Sequence, residues 1–287
     1  MDCSSLKDAL ARIEELYRKE GLSPGRLEQI GYVSRWTLVL ASDGQAGMAF
    51  NFTGEHAVYG LPDPGELVRM RGLVGKDLFS IAEELLEREG LLTRSLCLAV
   101  LNALSRPLSD ARRLAARGIA SGVPYDYSFV NSGDKVAVIG YGGVAEDLRQ
   151  RAGTVHISDM RPRGMLETLS IGEQVVYGPP GLVFHGAEEN EELLRDADVV
   201  LMTGCTLVND TFRELVRYAK KARVVGMFGP SAQLLPEFLF DRGISYITTS
   251  RVLDPVGIYN QLTGHLEGQV FGRFTEPYVI TAKPALK

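Results

Sequence analysis

The stretch Lys135-Val-Ala-Val-Ile-Gly140-Tyr-Gly-Gly143-Val-Ala-Glu-Asp-Leu-Arg-Gln-Arg151, followed by Val155-His-Ile-Ser-Asp159, decides the architecture of this chain. Its apolar run predicts a buried strand over 136–139. A glycine turn follows, then a helix over 144–151 and a second strand over 155–158 that ends at Asp159. This is the opening of a nucleotide-type fold. Toward the C-terminus the alternation continues, with strands expected at 199–202, 224–228 and 246–249. Helices are expected at 189–195, 210–220, 235–242 and 255–266. Most of these strands are nearly continuous apolar runs, as when helices cover both faces of a sheet. Right-handed crossovers then give an α/β unit with a doubly wound parallel sheet.

Residues 160–185 interrupt the pattern. They carry Pro162, Gly164, Gly172, Gly178, Pro179, Pro180 and Gly181 where a crossover helix belongs. The segment reads as loop and hairpin. It leaves the carboxyl end of the second strand, where folds of this class bind ligands.

Upstream, the pattern differs. Leu6, Ala9, Leu10, Ile13, Leu16 and Tyr17 predict a helix over 5–19 with Ser5 as its N-cap. Strands over 30–41 and 45–52 flank Ser42-Asp43-Gly44 and predict a hairpin. Residues 54–72 read mostly as loop. Helices follow at 77–88 and 93–104; the second is apolar almost all round, hence buried, and Pro107 is expected to end it. A short exposed helix covers 109–117. The expected division is an α+β domain over 1–117, a linker over 118–134 and the α/β domain over 135–287.

A chain of 287 residues with 45% apolar and 23% charged content suits two globular domains. Net charge is −5, and Lys and Arg collect on no aromatic-laced face, which disfavours nucleic acid as a partner. No apolar run approaches the roughly 20 residues that span a bilayer. The N-terminal residues lack the basic start and apolar run of a signal peptide. The three cysteines, Cys3, Cys97 and Cys205, are odd in number and far apart, so a disulfide framework is not expected. The expectation is a cytoplasmic, reduced protein with a small-molecule or metal ligand and no membrane or nucleic-acid partner. Homo-oligomerisation is compatible with the sequence.

Gly140-x-Gly142-x-x-Ala145 matches the dinucleotide fingerprint, with Asp159 nineteen positions after Gly140. In that reading Gly140, Gly142 and Gly143 let a pyrophosphate approach the helix N-terminus. Asp159 takes a ribose hydroxyl, which favours NAD over NADP. A strand-to-helix turn also needs glycine for geometry alone, and that reading stands beside the first. Thr203 and Thr206 offer hydroxyls after the 199–202 strand, and Asn209 or Asp210 is positioned to cap the next helix. Gly229-Pro-Ser231 follows the next strand in the same way. Three such loops converge on one crevice and suggest an anionic or oxygen-rich ligand. Arg161 and Arg163 flank Pro162 as a clamp for a phosphate or carboxylate, or as solvated charges.

Cys205 in a cleft loop is a candidate soft-metal ligand or nucleophile. His185 and Asp159 are further metal candidates, and His56 beside Glu55 is within reach of the cleft. His156 reads as a core or edge residue and His265 as unassigned. No His or Cys pair has metal-ligand spacing, and no Ser-His-Asp set or Walker lysine is present. Asn102 is a lone amide in an apolar helix. It requires partners, either a loop or the cleft.

The ordered set Thr203-Gly-Cys-Thr-Leu-Val-Asn-Asp-Thr211, Gly229-Pro-Ser-Ala232, Leu239-Phe240, Gly243-Ile-Ser-Tyr246 and Asp254-Pro255 resembles the DUF364 family, the heavy-metal chelation domain. Asp43-Gly44, Gly75-Lys-Asp77-Leu78 and Leu98-Ala-Val-Leu-Asn102-Ala-Leu104 resemble its usual partner, DUF4213. The resemblance spans most of the chain. It implies an enolase N-terminal-like domain joined to a Rossmann-like domain, with a site between them. It implies a role in heavy-metal handling but no established reaction. The turn Gly140-Tyr-Gly-Gly143 is more glycine-rich than the family pattern.

Three functions compete. One is a binder of a small ligand, metal or oxyanion such as molybdate. Its interdomain cleft would be lined by Asp159, Arg161, Thr203, Thr206, Asn209 and Ser231 and closed by Asn102 and residues 51–55. The second is an enzyme using NAD or S-adenosylmethionine at Gly140–Gly143, with no catalytic residue assigned. The third is a module serving another enzyme.

Overall fold

Leu6, Ala9, Leu10, Ile13, Leu16 and Tyr17 repeat at helical spacing and form the buried stripe of α1 (Ser4–Glu20), with Ser5 inside the helix rather than capping it. The computed structural model describes residues 4–33, 35–53, 63–171, 174–177, 180–263 and 271–282. Cys3, Glu55, His56 and His265 lie outside the described residues.

An antiparallel meander follows: β1 (Leu27–Val33), β2 (Trp36–Ala41) and β3 (Ala46–Phe50). The single strand expected over 30–41 is therefore two. Val33 pairs with Trp36, and the two intervening residues leave the period of two unbroken, so the pattern carries no mark of the turn. Next come α2 (Pro64–Arg71), α3 (Leu78–Leu86), α4 (Leu91–Leu108) and α5 (Ala111–Ala116). The stretch expected as loop contains α2, because Asp63 caps Gly65 N and Pro64 opens the helix rather than breaking it. Pro107 lies inside the last turn of α4 and does not end it.

Helix α4 is buried continuously from Leu92 to Ser105. Three of its buried polar side chains find partners close by. Thr93 donates to Glu66 of α2, Ser95 shares a hydrogen bond with Thr37 of β2 at 2.7 Å, and Ser105 bonds the Leu101 carbonyl. Strand β3 crosses α4 so closely that a Cβ on Gly47 would sit 2.0 Å from the Ala99 carbonyl oxygen and 2.4 Å from the Ala103 nitrogen.

The second half forms β4 (Ala120–Gly122), β5 (Val136–Ile139), α6 (Gly143–Ala152), β6 (Val155–Ser158), α7 (Arg163–Glu167), β7 (Thr168–Ile171), β8 (Gln174–Tyr177) and β9 (Leu182–His185). It continues with α8 (Asn190–Arg195), β10 (Val199–Thr203), α9 (Phe212–Tyr218), β11 (Val224–Phe228), α10 (Pro236–Phe240), β12 (Tyr246–Val252), α11 (Pro255–Thr263) and β13 (Thr275–Thr281). An eight-stranded sheet runs β4-β13-β12-β11-β10-β5-β6-β9. From β12 to β9 the pairing is parallel, while β13 and then the edge strand β4 add antiparallel pairs at one end.

By chain order the six parallel strands read 3-2-1-4-5-6, the doubly wound order. Between β6 and β9 the expected hairpin is present as antiparallel β7–β8, preceded by the short helix α7. Strand β9 was hidden because it is an edge: only Phe184 is buried in it. The segment 118–134, expected as a linker, contributes β4 to the sheet through β13. A single apolar cluster runs from α1, α3 and α4 through Ala137, Val200, Met202 and Met227 of the parallel sheet.

Replacing Gly47 by Ala should destabilise the protein by about 3 kcal/mol or more, since backbone atoms of α4 cannot step aside. Urea unfolding monitored by circular dichroism measures it; a loss below about 1 kcal/mol would contradict the close crossing.

Candidate functional site

Strand order reverses where β5 pairs with β10, and ligands of doubly wound sheets sit at the carboxyl ends of such a pair. Here the two tips touch. Gly140 follows β5 with φ +89°, and a Cβ on it would lie 2.8 Å from Thr203 Cγ2, so both backbone and neighbour demand glycine. Gly142 is the extended N-cap residue of α6, and a Cβ on Gly143 would meet nothing within 4 Å. Gly143 is therefore open on its side-chain face at the helix start, while Ala145 N already bonds the Gly142 carbonyl at 3.0 Å.

Asp159 follows β6, but it is not free to meet a ribose. One carboxylate oxygen accepts Tyr141 N at 2.7 Å and Arg161 Nη2 at 2.8 Å. The other accepts Arg161 N at 2.9 Å and Nε at 3.0 Å. Arg161 also donates to the Tyr141 carbonyl at 3.1 Å. The pair thus clamps the glycine turn from below. Burial pushes the Asp159 carboxyl up, yet the bonds from Arg161 and the Tyr141 amide outweigh it and hold the group below the usual carboxylate range. Arg161 is consequently committed to Asp159 instead of forming an anion clamp with exposed Arg163.

After β10 the chain enters a 3-10 turn, Gly204–Leu207. Thr203 donates to Cys205 Sγ at 3.1 Å and accepts from Cys205 N, while buried Thr206 donates to the Thr203 carbonyl at 2.9 Å. Asn209 accepts from Thr211 Oγ1 at 2.8 Å and its amide meets Met160 Sδ at 3.5 Å. Neither Asn209 nor Asp210 caps α9; Thr211 holds that position with no side-chain bond. Asp210 instead adopts φ +66° and pairs with Arg94 Nη2 of α4 at 2.9 Å. A tertiary ion pair has taken the carboxylate that local spacing offered to the helix.

The β11 tip is sealed. A Cβ on Gly204 would lie 2.5 Å from Ala232 N, so the 3-10 turns Gly204–Leu207 and Pro230–Ala232 meet backbone to backbone. Ser231 Oγ accepts Phe50 N at 2.9 Å, and Gln233 Oε1 accepts Met48 N at 3.3 Å. Asn102 Nδ2 donates to the Met48 carbonyl at 2.7 Å and the Ser231 carbonyl at 3.3 Å. The free edge of β3 is thereby paired by side chains from both halves.

The structure therefore gathers Gly140, Gly142, Gly143, Asp159, Arg161, Thr203, Cys205 and Asn209 around the strand-order reversal. Asn102, Thr206 and Ser231 lie in the packed seam beside it. His185 stands at the end of β9, where its ring faces His156 of β6. Burial, His185 and Lys135 lower the His156 pKa. Met160, Arg94 and Gln233 were missed from sequence; only Arg94, a charge inside an apolar helix, carried a signal.

A family model described as "Putative heavy-metal chelation", DUF364, matches residues 124–281, and a second of the same description, DUF4213, matches 15–105. The chain belongs to the DUF364 family. An uncharacterised protein of Methanocaldococcus jannaschii is 39% identical over 62 residues, 22% of this chain and 24% of that protein, so the match spans about a quarter of the relative. A DUF364 protein of unknown function from Desulfitobacterium hafniense superposes with a TM-score of 0.67 at 17% identity, covering 94% of this chain and 98% of that one. Another, from Pyrococcus horikoshii, gives 0.68 at 20%, covering 97% and 100%. These likenesses show the fold.

In this DUF364 protein the family's metal description meets a sparse donor set. Among the described residues, no group of three or more His, Cys, Asp or Glu side chains could hold a metal ion. A polydentate cage does not fit them. Nor does a reactive thiolate: burial, only partly offset by bonds from Thr203 and Ser231, pushes the Cys205 thiol up to about 11. A surface cavity of about 350 Å³ between α8 and α9 is lined by Arg195, Arg217 and Lys221, which pair with Glu191, Glu214 and Asp196. Lys220 and Tyr218 complete its lining, so most but not all of its cations are compensated.

Asn102→Ala should cost about 1–3 kcal/mol, because two buried carbonyls lose their donor. Urea titration checks this, and a neutral substitution would show that the seam does not depend on the amide. In a Cys3→Ser protein, iodoacetamide should label Cys205 at pH 8 on the order of 100-fold more slowly than a free cysteine peptide. The rate should keep rising with pH above 10; mass spectrometry that finds it levelling below pH 9 would refute the half-buried, protonated thiol.

Proposed function

We propose that this protein binds a small ligand in a crevice above the touching ends of β5 and β10, at the start of α6. The observation that carries the reading is the strand-order reversal itself, with Gly143 open at the start of α6 and Thr203 packed against Gly140. The strained Asp210, held by Arg94 from the other module, also supports it, since left-handed non-glycine residues gather at functional sites. The ligand would meet the first-turn amides of α6, the Asn209 amide and the Met160 thioether. An ion pair across the modules would transmit occupancy of the loop to α4. Oxyanion capture by Arg161 is less favoured, because Asp159 already neutralises it.

A nucleotide-type cofactor is the second reading. The 3-2-1-4-5-6 strand order and the glycine turn favour it. Asp159 would then act by holding the turn, not by touching ribose, and the preference for NAD over NADP loses its basis.

Differential scanning fluorimetry with NAD, S-adenosylmethionine, phosphate, molybdate and short carboxylic acids tests both readings. A ligand of this crevice should raise the melting temperature, slow hydrogen exchange over 140–146 and 203–211, and lose most of its effect in Asn209→Ala. No shift with any compound, or protection elsewhere, would overturn the proposal.

A further inference from the structure

His156 and His185 project from adjacent parallel strands on one face of the sheet edge. His156 Nδ1 and His185 Nε2 are 3.0 Å apart. The ring centres are 5.3 Å apart, the separation of two nitrogens meeting head-on along the centre-to-centre line. A side-on contact at the same nitrogen distance would bring the rings closer.

The far nitrogen of His185 is also committed. Its Nδ1 lies 2.9 Å from Glu189 Oε2, while Glu189 Oε1 accepts Gly186 N at 2.9 Å. A carboxylate only accepts, so the His185 proton sits on Nδ1 and its Nε2 lone pair points at His156. This is the arrangement of a metal-bound imidazole, whose second nitrogen donates to a carboxylate that fixes tautomer and ring. Among the described residues no third His, Cys, Asp or Glu completes a metal-binding group here, so the pair offers a cation two imidazole nitrogens.

We propose that His156 Nδ1 and His185 Nε2 form a two-coordinate site for a monovalent d10 cation, Cu(I) or its closed-shell analogue Ag(I). Such ions accept linear pairs of nitrogen donors, and imidazole suits copper. Metal–nitrogen bonds of about 2 Å require the nitrogens to open to about 4 Å. His185 can yield that roughly 1 Å by side-chain rotation, since it ends the edge strand β9, its side chain is 20% exposed and Gly186 follows it. The cation enters with no net release of protons from the neutral pair: His156 moves its one proton from Nδ1 to Nε2, and His185 keeps Nδ1–H on Glu189. None of these ligand atoms belongs to the β5–β10 crevice, so the inference stands whether or not that crevice binds a ligand.

The test is titration of full-length protein, labelled with 15N-histidine, by Ag(I) beyond saturation of the thiols. The readout is the imidazole 15N shift, which silver on cysteine does not move. His156 Nδ1 and His185 Nε2 should shift together and saturate, and His156→Gln or His185→Gln should abolish both shifts. Glu189→Gln, at a half-exposed side chain whose oxygen can still accept Gly186 N, should weaken binding about 10-fold. Movement of one nitrogen alone, of neither, or equal affinity for Zn(II) would overturn the proposal. If the histidine variants do not fold, titration of the wild-type protein alone still separates joint movement of the two nitrogens from these outcomes.

Discussion

The amide of Asn102, sealed inside α4, is where the two halves of the chain are joined. It donates to a carbonyl of the meander and to a carbonyl of the Pro230–Ala232 turn. Ser231 and Gln233 satisfy the amides on the same free edge of β3. An unpaired strand edge buried against another module would leave orphaned backbone groups at a cost of about 1–3 kcal/mol each. Three side chains remove that penalty, and they require one register between the modules. Apolar packing adds area, but these bonds set the alignment.

That alignment decides what remains of the ligand-binding edge. The β11 tip is given over to the seam, whereas the β5 and β10 tips stay beside open space. Within that space most hydroxyls and charges are already spent on the protein. Asp159 and Arg161 brace the glycine turn, Thr203 and Thr206 brace the 3-10 turn, and Cys205 is held protonated. The proposed site would therefore rest on backbone amides and soft, neutral side chains. This sits awkwardly with a multidentate metal cage and leaves the paired histidines, on a separate part of the sheet edge, as the better nitrogen donors.

Much of the fold was legible in the chain. Buried strands such as Val136–Ile139 and Val224–Phe228 are apolar throughout, because both faces are covered by helices. The edges β4 and β9, and β13 beside β4, were not legible: half-exposed strands show neither a continuous apolar run nor strict alternation. The β1–β2 turn was hidden because it preserves the period of two. Helix α2 was hidden because prolines and glycines read as breakers until Asp63 and Pro64 are seen as a start.

At the site, sequence could place residues at strand ends but not say whom they face. The spacing that put Asp159 nineteen positions after Gly140 was real, yet the guanidinium two residues on folded back to claim it. Asp210 looked like a cap until Arg94, far away in the chain, paired with it. By itself the sequence determined the alternation of strands and helices, the buried character of α4 and the loops at the sheet's carboxyl edge, because these depend on local period and polarity. Only the tertiary structure decided which polar groups are spent and which remain available. Hydrogen bonds and ion pairs are settled by distances between residues that no local pattern links.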